Sequence, residues 1–293
     1  MSTSNRLLIT VMVSMMGSIS FAQSLFKTGA YQIGFGATTL LGDLGGSYGA
    51  GTNDLKDFDD EAVGYTLGFA YDWGFNRSIE LRTNINYVSL SADDKYSEEL
   101  SRKLRNLSVK TNVFEFIPSL KVNFLRKMSK STAMPPKKKI SQIYTCLGVG
   151  FIYFNPKAEY QGKLYSLKGM KTEGQGLVGG AKPYSGFSLI IPVTVGFQNE
   201  IKKGSFLFYE FTLRKCFTDY LDDVSTVYYD NDKLKSANGD LSAELADRNL
   251  GSQNNTFGTN RGNPKNKDNY FTFTLGYKKA LLRYNTRRIK AHS

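Results

Sequence analysis

The chain has 293 residues and a formal net charge of +12, and 41% of its residues are hydrophobic and 13% aromatic. Its single histidine, His292, excludes Ser-His-Asp and Cys-His catalytic arrangements and metal sites built on histidine. The positive charge does not by itself indicate nucleic-acid binding, because no nucleic-acid fold signature accompanies it. The composition therefore argues against the commonest classes of hydrolytic enzyme and of DNA- or RNA-binding protein.

The first 23 residues have the features of a secretory signal peptide. Arg6 supplies a positive flank, an apolar run extends from Leu7 to Phe21, and Ser20-Phe21-Ala22 places small residues where a signal peptidase cuts. The alternative is a transmembrane helix, which needs a longer apolar run. No basic flank follows the run either. The sequence therefore predicts export.

The segment from Val63 to Val88 carries the clearest secondary-structure pattern, a hairpin of two alternating strands. Large apolar residues occupy the odd positions from Val63 to Trp73, and small or polar residues occupy the even ones. The return strand alternates in the same way and places Glu80 and Arg82 on its polar face. Soluble sandwiches also alternate, but a face with these charges cannot pack as a hydrophobic core. Runs of about 9–11 residues are long enough to cross a bilayer, so the pattern favours two lipid-facing strands.

Six further runs repeat this alternation, so the sequence predicts an all-β fold, an eight-stranded antiparallel transmembrane β-barrel. The connections alternate between long and short, which is typical of barrels with short periplasmic turns and long extracellular loops. Both termini then face the periplasm of an outer-membrane protein. Because Leu107 and Val109 have the opposite parity to Phe114, we expect a bulge near Asn112. The predicted strands cover roughly 30–38, 63–73, 79–88, 109–124, 142–154, 187–198, 205–217 and 270–279.

This topology divides the chain into a signal peptide at 1–23, a barrel domain at 24–284 and a basic periplasmic tail at 285–293. It separates Cys146 from Cys216 by much of the membrane, so we expect no disulfide between them. Charged residues of both signs point inward, where we expect them to pair across strands and fill the lumen. A filled lumen argues against a diffusion pore. These inward residues are Glu80, Arg82, Glu115, Lys121, Glu210 and Arg214.

Nearly all of the excess positive charge faces the periplasm on this topology. It lies in the turns at Arg126–Ser141 and Asn199–Gly204 and in the segment that begins at Lys278, whereas the long loop at 218–268 is net acidic. Such a rim contacts phospholipid head groups or docks a periplasmic partner that charge attracts to it. Both interpretations stay open. The predicted partner-binding residues are Lys137, Lys138, Lys139, Lys202, Lys203, Arg287 and Arg288.

The sequence offers no convincing site for chemistry. The pairs Asp93-Asp94 and Asp222-Asp223 have the composition of acid pairs or calcium ligands, but adjacent carboxylates on loops are more often solvated turn residues. The glycine-rich segment from Leu41 to Gly46 lacks the lysine and the following helix of a phosphate-binding loop. We therefore predict that the protein is not an enzyme and that it has no cofactor and no metal site.

Several loop segments are distinctive in their order and spacing. The most distinctive is the run from Thr218 to Thr226 after the seventh strand. Asn155-Pro156-Lys157-Ala158 and Thr172-Glu173-Gly174-Gln175-Gly176 lie in the third long loop. Arg105-Asn106-Leu107-Ser108 and Arg261-Gly262-Asn263 precede the fourth and the last strand. Together these segments resemble the PorG family, the outer-membrane barrel component of the type IX secretion system, although the long lysine-rich turn at Pro135–Lys139 departs from the family pattern.

The resemblance implies an integral outer-membrane protein attached to the periplasmic ring of the lipoprotein PorK and of PorN. That machine moves folded cargo to the cell surface, and the family offers no catalytic residues. On our topology its recurrent residues lie on the outer side, where they brace the loops or contact a surface partner. These family-motif residues are Asn155, Pro156, Glu173, Gly174, Asp219, Asp222, Asp223, Ser225 and Arg261.

Two other functions stay open at this point. A surface adhesin or recognition barrel would act through its long extracellular loops and would not need the periplasmic ring. A small-solute channel would need an open lumen, which the inward charges argue against.

Overall fold

The computed structural model describes residues 28–45, 62–76, 78–97, 99–130, 138–251 and 255–281, with the backbone alone at 125–130 and 138–139. The predicted signal peptide and the predicted basic tail lie outside these ranges. The helices within them are all too short or too polar to cross a bilayer. The ten strands are β1 (Thr28–Leu41), β2 (Gly64–Gly74), β3 (Ile79–Asp93), β4 (Ser108–Lys130), β5 (Lys138–Gly148), β6 (Gly150–Tyr160), β7 (Lys163–Ser166), β8 (Phe187–Lys202), β9 (Ser205–Cys216) and β10 (Asn269–Leu281).

The strands form one antiparallel sheet that closes on itself. The order of neighbours is β3-β2-β1-β10-β9-β8-β5-β4-β6-β7, and additional pairings join β3 to β4 and β6 to β8. The first and last strands pair along their whole length, from Gly29 opposite Leu281 to Leu41 opposite Asn269. Closure gives every long strand a neighbour on both edges, which is the arrangement that leaves no backbone edge unpaired.

The sequence analysis counted eight strands, whereas the described residues form ten. The predicted run at 142–154 is divided at Val149 into β5 and β6, which both pair with β4 and β8. The segment 155–186 is not wholly a loop as expected, because β6 continues to Tyr160 and forms a hairpin with β7. The turn predicted at 126–141 is also shorter, because β4 runs to Lys130 and β5 begins at Lys138.

The two ends of the ring differ in the length of their connections. Short connections join β2 to β3, β4 to β5 and β8 to β9, and we call this end, which also holds Thr28 and Leu281, the turn end. The opposite, loop end holds the connections that follow β1, β3, β7 and β9. Four short helices lie there: α1 (Leu100–Arg105), α2 (Leu167–Met170), α3 (Asn231–Asn238) and α4 (Asp240–Ala246).

The predicted alternation of side chains is confirmed around the ring. On β8, buried residues alternate with exposed ones from Phe187 to Phe197, and Val195 keeps 56% of its surface exposed. On β1, Ile33 and Phe35 are exposed whereas Gln32 is buried. The outward face is therefore apolar and open along the middle of the strands, which is the reverse of a soluble protein.

Aromatic side chains collect near both limits of this outward face. Towards the loop end, cross-strand pairing sets Tyr87 opposite Phe114 and Phe114 opposite Tyr153, and Tyr153 lies opposite Phe187. The ring centroids of Tyr153 and Phe187 are 5.0 Å apart. Towards the turn end lie Tyr31, Tyr71, Trp73, Tyr209 and Tyr277.

The bulge expected near Asn112 is absent from the described strands. The register between β3 and β4 runs without a shift from Asp93 opposite Ser108 to Ile79 opposite Val122. The irregularity in β4 lies instead between Asn123 and Leu125, where it pairs with β5. The expectation failed because it assumed that every apolar residue points outward, whereas Leu107 and Val109 point into the barrel.

These inward apolar residues belong to a hydrophobic plug that fills the loop half of the lumen. Side chains of β3, β4, β6 and β8 meet Leu221 and Val224 from the connection after β9. The plug includes Val88, Leu90, Val109, Val113, Ile117, Ile152, Phe154 and Ile190, all of them almost completely buried. The lumen is therefore closed by packing at the loop half, which the alternating pattern alone did not indicate.

Replacement of Gly196 by alanine should destabilise the barrel, because a Cβ at this position on β8 would lie 2.3 Å from the ring of buried Tyr144. The Tyr144 ring is buried and cannot move aside without cost, so we expect the free energy of unfolding to fall by about 1–3 kcal/mol. Urea unfolding of the purified protein in detergent, followed by circular dichroism, measures it. The control is Gly169→Ala, where a Cβ would meet nothing within 4 Å. Equal stability of the two variants would contradict the prediction.

Candidate functional site

The turn half of the lumen holds a network of ion pairs centred on Asp72. Arg82 Nε donates to Asp72 Oδ1 at 2.7 Å, and the Arg82 guanidinium also bonds Glu210. Lys121 Nζ lies 3.2 Å from Asp72 Oδ2 and 3.3 Å from Glu80. All five side chains are at least mostly buried, so each charge depends on its partners.

Lys278 is part of the same network, which corrects its assignment to the basic periplasmic segment. Its Nζ lies 2.6 Å from Asp72 Oδ2 and 3.1 Å from Glu80 Oε2, and the residue is 4% exposed. The sequence analysis counted it with the rim because it stands beside Lys279 near the end of the last strand. Lys278 follows Tyr277, which lies on the outward face, so alternation along β10 turns Lys278 inward. The alternation in the sequence could have shown this.

A second network lies closer to the plug. Arg214 Nε is 2.6 Å from Glu115 Oε1, and Tyr270 donates to the same carboxylate. Asn86 Nδ2 donates to the other oxygen of Glu115 at 2.6 Å. The six charged residues expected in the lumen are thus all paired there, although the partners Asp72 and Lys278 were not foreseen.

Above the plug, the long connections bond to one another through buried carboxylates, and we call this region the loop cap. Glu173 Oε1 accepts hydrogen bonds from the backbone N–H groups of Ser225 and Thr226 at 2.9 and 3.1 Å. The Thr226 hydroxyl donates to Oε2 at 2.7 Å, and Arg261 pairs with Oε1 at 3.1 Å. One carboxylate therefore joins three separate segments of the chain.

Asp223 is a second junction in the loop cap. Its carboxylate accepts from the hydroxyls of Thr172 and Tyr184, the latter at 2.7 Å. Arg261 donates to its backbone carbonyl. Asp223 has a φ of 62°, a conformation that side-chain-bearing residues rarely adopt, so the surrounding contacts hold it there.

Gly174 is required in the loop cap for two reasons. Its φ is 66°, and a Cβ there would lie 2.4 Å from the ring of Tyr229. Glycine is the residue that accepts such a φ without cost. The family-motif residues Glu173 and Gly174 thus act together, one as an acceptor and one as the turn that brings the acceptor into place.

The remaining acidic motif residues hold backbone amides. Asp222 Oδ2 accepts from Asp43 N at 2.8 Å and Oδ1 accepts from Val224 N at 2.9 Å. Asp219 Oδ2 accepts from the Ser225 hydroxyl at 2.6 Å, and its Oδ1 has no hydrogen-bond partner. Asp222 therefore connects the loop after β1 to the loop after β9, while Asp219 holds a turn within the latter.

Two residues that the sequence analysis named but did not count among the site residues extend this cap. Asp94 accepts from Arg105 Nε at 2.7 Å and from the backbone N–H groups of Gly45 and Leu107. Arg105 also donates to the backbone carbonyls of Asp43 and Arg261. The adjacent pair Asp93-Asp94 divides accordingly, because Asp94 is buried whereas Asp93 stays partly exposed and caps the turn at 94–96.

Burial raises the pKa of several carboxyl groups in the loop cap. The pKa of Asp219 rises to about 7, an effect that the Ser225 hydroxyl partly offsets. The pKa of Asp223 rises to about 6, opposed by Arg261. For Asp268 and Asp222, burial and the other acidic groups nearby raise the pKa well above its usual range. These four aspartates therefore bind protons more tightly in the loop cap than free aspartate side chains do.

The other predicted site residues lie apart from the loop cap. Asn155 and Pro156 are on β6, where Asn155 Oδ1 accepts from the Ser166 hydroxyl at 2.6 Å. Lys202 and Lys203 are exposed at the turn end. Lys138 and Lys139 begin β5 at the same end, and the structure describes only their backbone. Lys137, Arg287 and Arg288 lie outside the described residues.

The arrangement of the described residues can hold loops in place. Within the described ranges, no set of three or more acidic, histidine or cysteine side chains is arranged to hold a metal ion. Cys146 and Cys216 are free and buried. Each carboxylate pair considered from the sequence is used in hydrogen bonds to the backbone or to hydroxyls.

A family model described as a domain of unknown function, DUF6089, matches residues 5–244. The chain belongs to this family. The description of DUF6089 names no activity, so the resemblance to the PorG family stays a prediction. No curated protein matches the chain.

Solved structures of outer-membrane proteins are similar to this DUF6089 chain at low identity. Ail of Yersinia pestis, solved with a heparin analogue, is 11% identical with a TM-score of 0.38, and the match covers 87% of this chain and 98% of Ail. OprG of Pseudomonas aeruginosa is 13% identical with a TM-score of 0.35, over 88% and 98%. Neisserial surface protein A is 8% identical with a TM-score of 0.34, over 86% and 96%. Such scores add nothing to the strand pairing already described.

Replacement of Arg261 by methionine should open the loop cap and leave the barrel closed. The change leaves Glu173, which is fully buried, without its cation, and breaking one side of such a pair costs about 3–5 kcal/mol. Amide hydrogen exchange should accelerate in α3 and α4 and stay unchanged in β8 and β9. Lys265→Met, at an exposed position of the same loop, is the control. Protection in α3 and α4 equal to that of the control would refute the bracing role.

The loop cap should become less stable as the pH rises. Asp219 has a pKa of about 7 in the folded cap, against 3.8 for a free aspartate side chain, so the folded form binds the proton more tightly. The resulting stabilisation is complete below about pH 4 and is lost as the pH rises towards 7. Hydrogen exchange of the cap across this range measures it. Asp219→Asn should flatten the dependence, and an unchanged slope would exclude this carboxyl as its source.

Proposed function

We propose that this protein is an integral outer-membrane β-barrel without catalytic activity, and that it anchors a periplasmic assembly of a type IX protein-secretion machine to the outer membrane. The observation that carries the membrane part is the exposed apolar face of the closed sheet, limited by aromatic side chains. The secretion role rests on the resemblance to the PorG family and on the basic residues at the turn end.

The dimensions of the apolar face suit a bilayer. Tyr65 and Trp73 lie near its two limits on β2 and are eight residues apart. At a rise of about 3.3 Å per residue they are separated by about 26 Å along the strand. The tilt of barrel strands reduces this to a height of about 20 Å, close to the apolar band of about 25 Å in outer-membrane barrels.

β5 and β6 both pair with β4 and β8, and β7 pairs with β6. If β5 and β6 are counted as one place and β7 is left out, the ten described strands form a ring of eight places. Rings of this size have a lumen that side chains can fill. Here the ion-pair networks occupy the turn half and the plug occupies the loop half. A cavity of about 490 Å³, lined by Asp72, Glu80 and Lys278, opens at the turn end, but the space beside Glu210 and Arg214 narrows to about 30 Å³, which holds no more than a few water molecules. This supports an anchor over a solute channel.

The turn end supports contact with a periplasmic partner. Lys202 and Lys203 are exposed at the connection between β8 and β9. The nearby Glu200 accepts a hydrogen bond from the backbone N–H of Gly204. We infer that this end faces the periplasm, because outer-membrane barrels have short periplasmic turns and long outer loops. We infer that the ring proteins PorK and PorN, or proteins like them, are the partners, and that charge guides their docking.

A surface recognition barrel is the second candidate, and the loop cap favours it. The cap is a folded layer whose buried hydrogen bonds hold several apolar side chains in the open. Val178, Leu250 and Phe257 are 96%, 67% and 54% exposed. A recognition barrel would use such exposed side chains to contact its ligand.

One experiment separates the candidates with two sets of variants. The rim set replaces Lys137, Lys138, Lys139, Lys202 and Lys203 by glutamine. The cap set replaces Val178, Leu250 and Phe257 by serine. The protein is purified from detergent-solubilised outer membrane, and co-purified partners are identified by mass.

An anchor predicts that the rim set loses the ring proteins at unchanged barrel yield, and that the cap set keeps them. A recognition barrel predicts that the rim set changes nothing and that the cap set reduces attachment of cells to their surface ligand. Ring proteins that stay bound to the rim set, even at high salt, would remove the docking claim. A mature protein that stays in the aqueous phase without detergent would remove the membrane claim.

A further inference from the structure

The outward face of β4 and β6 changes character in three steps towards the loop end. The first row is aromatic, with Phe114 opposite Tyr153. Two residues further along each strand, the pairing sets Asn112 opposite Asn155. Two residues beyond, it sets Lys110 opposite Lys157. Strand alternation keeps all three rows on the same outward face.

The lysine row is unfavourable by itself. Like charges directly opposite each other on neighbouring strands destabilise a sheet. Glu159 is the acidic group that contacts Lys110, at 3.4 Å, and both side chains are more than half exposed, so the contact is weak. The pair Lys110 and Lys157 therefore keeps an excess of positive charge directly beyond the apolar face.

A third lysine, Lys168 of α2, approaches the aromatic row. A Cβ built on Gly186 would lie 3.4 Å from the Tyr153 ring and 3.6 Å from Lys168 Nζ, so ammonium group and ring are close neighbours. The Tyr153 ring packs against Phe187, which is 69% exposed on the outward face. Lys168 thus adds its charge just beyond the aromatic row of β6 and β8.

We propose that this surface binds the head group of a phosphorylated glycolipid of the outer leaflet. The proposal rests on the proposed function in one respect, since the loop end must face outward for that lipid to reach it. The exposed aromatic row contacts the acyl chains, and the asparagine row offers amide donors and acceptors to acyl carbonyls and sugar hydroxyls. The lysines Lys110, Lys157 and Lys168 bind phosphate with charge-assisted hydrogen bonds.

The order of the rows favours this occupant over a soluble anion or a protein. The lysines directly adjoin the lipid-facing surface. The phosphate of a neighbouring lipid is therefore held close to them, at a high local concentration. Basic groups that border a membrane surface attract anionic head groups in this way. Asn155, a family-motif residue with no place in the loop cap, also finds a role here.

The experiment uses the mature protein in detergent and measures lipid binding by native mass spectrometry. The probes are lipid A with its phosphates, the same lipid with the phosphates removed, and phosphatidylglycerol. The test variant combines Lys110→Gln, Lys157→Gln and Lys168→Gln. The control variant combines Lys103→Gln, Lys235→Gln and Lys265→Gln, which removes equal charge from exposed positions of the loop end.

We expect the unchanged protein and the control to bind lipid A equally, and the test variant to bind about 100-fold more weakly. We expect the dephosphorylated lipid to bind all three proteins as weakly as lipid A binds the test variant. Equal binding of lipid A by the test and control variants would overturn the proposal. Equal binding of phosphatidylglycerol and lipid A by the unchanged protein would overturn the glycolipid assignment. Insertion into phosphatidylcholine vesicles is measured in parallel, and its failure would instead count against the membrane function.

Discussion

Closure of the sheet between β3 and β4 is the constraint on which the rest of the structure depends. A closed antiparallel ring gives each side chain one of two destinations, the lumen or the outside. The outside is apolar in the middle and aromatic at its limits, whereas the lumen holds paired charges and a hydrophobic plug. No strand could shift by one residue without exchanging these two sets, so closure also fixes the register.

The loop cap depends on the barrel in a different way. Its carboxylates mainly bond backbone N–H groups and hydroxyls of neighbouring loops, and Arg261 joins two of them. These bonds are possible because Leu221 and Val224 descend from the same loop into the plug and hold it in place. The cap is therefore an extension of the barrel core.

Much of the fold follows from the alternation of residues, and the errors arise where alternation is an incomplete guide. It identified the long strands and the inward charges because lipid and lumen demand opposite polarity at successive positions. It misread Leu107 and Val109, because a plug makes both faces of β4 apolar near the loop end. It also missed the partnership of Asp72 with Lys278, since those residues are far apart in sequence and meet only when the ring is complete. The motif residues of the loop cap could be named from their resemblance, but their contacts could not, because loop geometry leaves no periodic signal.

The bridge from Lys278 to Asp72 and Glu80 has a consequence for assembly. Lys278 lies on the final strand, whereas its two acidic partners lie on the second and third, so the bridge spans the seam between the first and last strands. A sheet that lacks β10 holds three carboxylates, those of Asp72, Glu80 and Glu210. Only two cations, Arg82 and Lys121, then remain to pair with them. Charge neutrality is thus a property of the completed ring, and it favours capture of the correct last strand over pairing with the edge of another molecule.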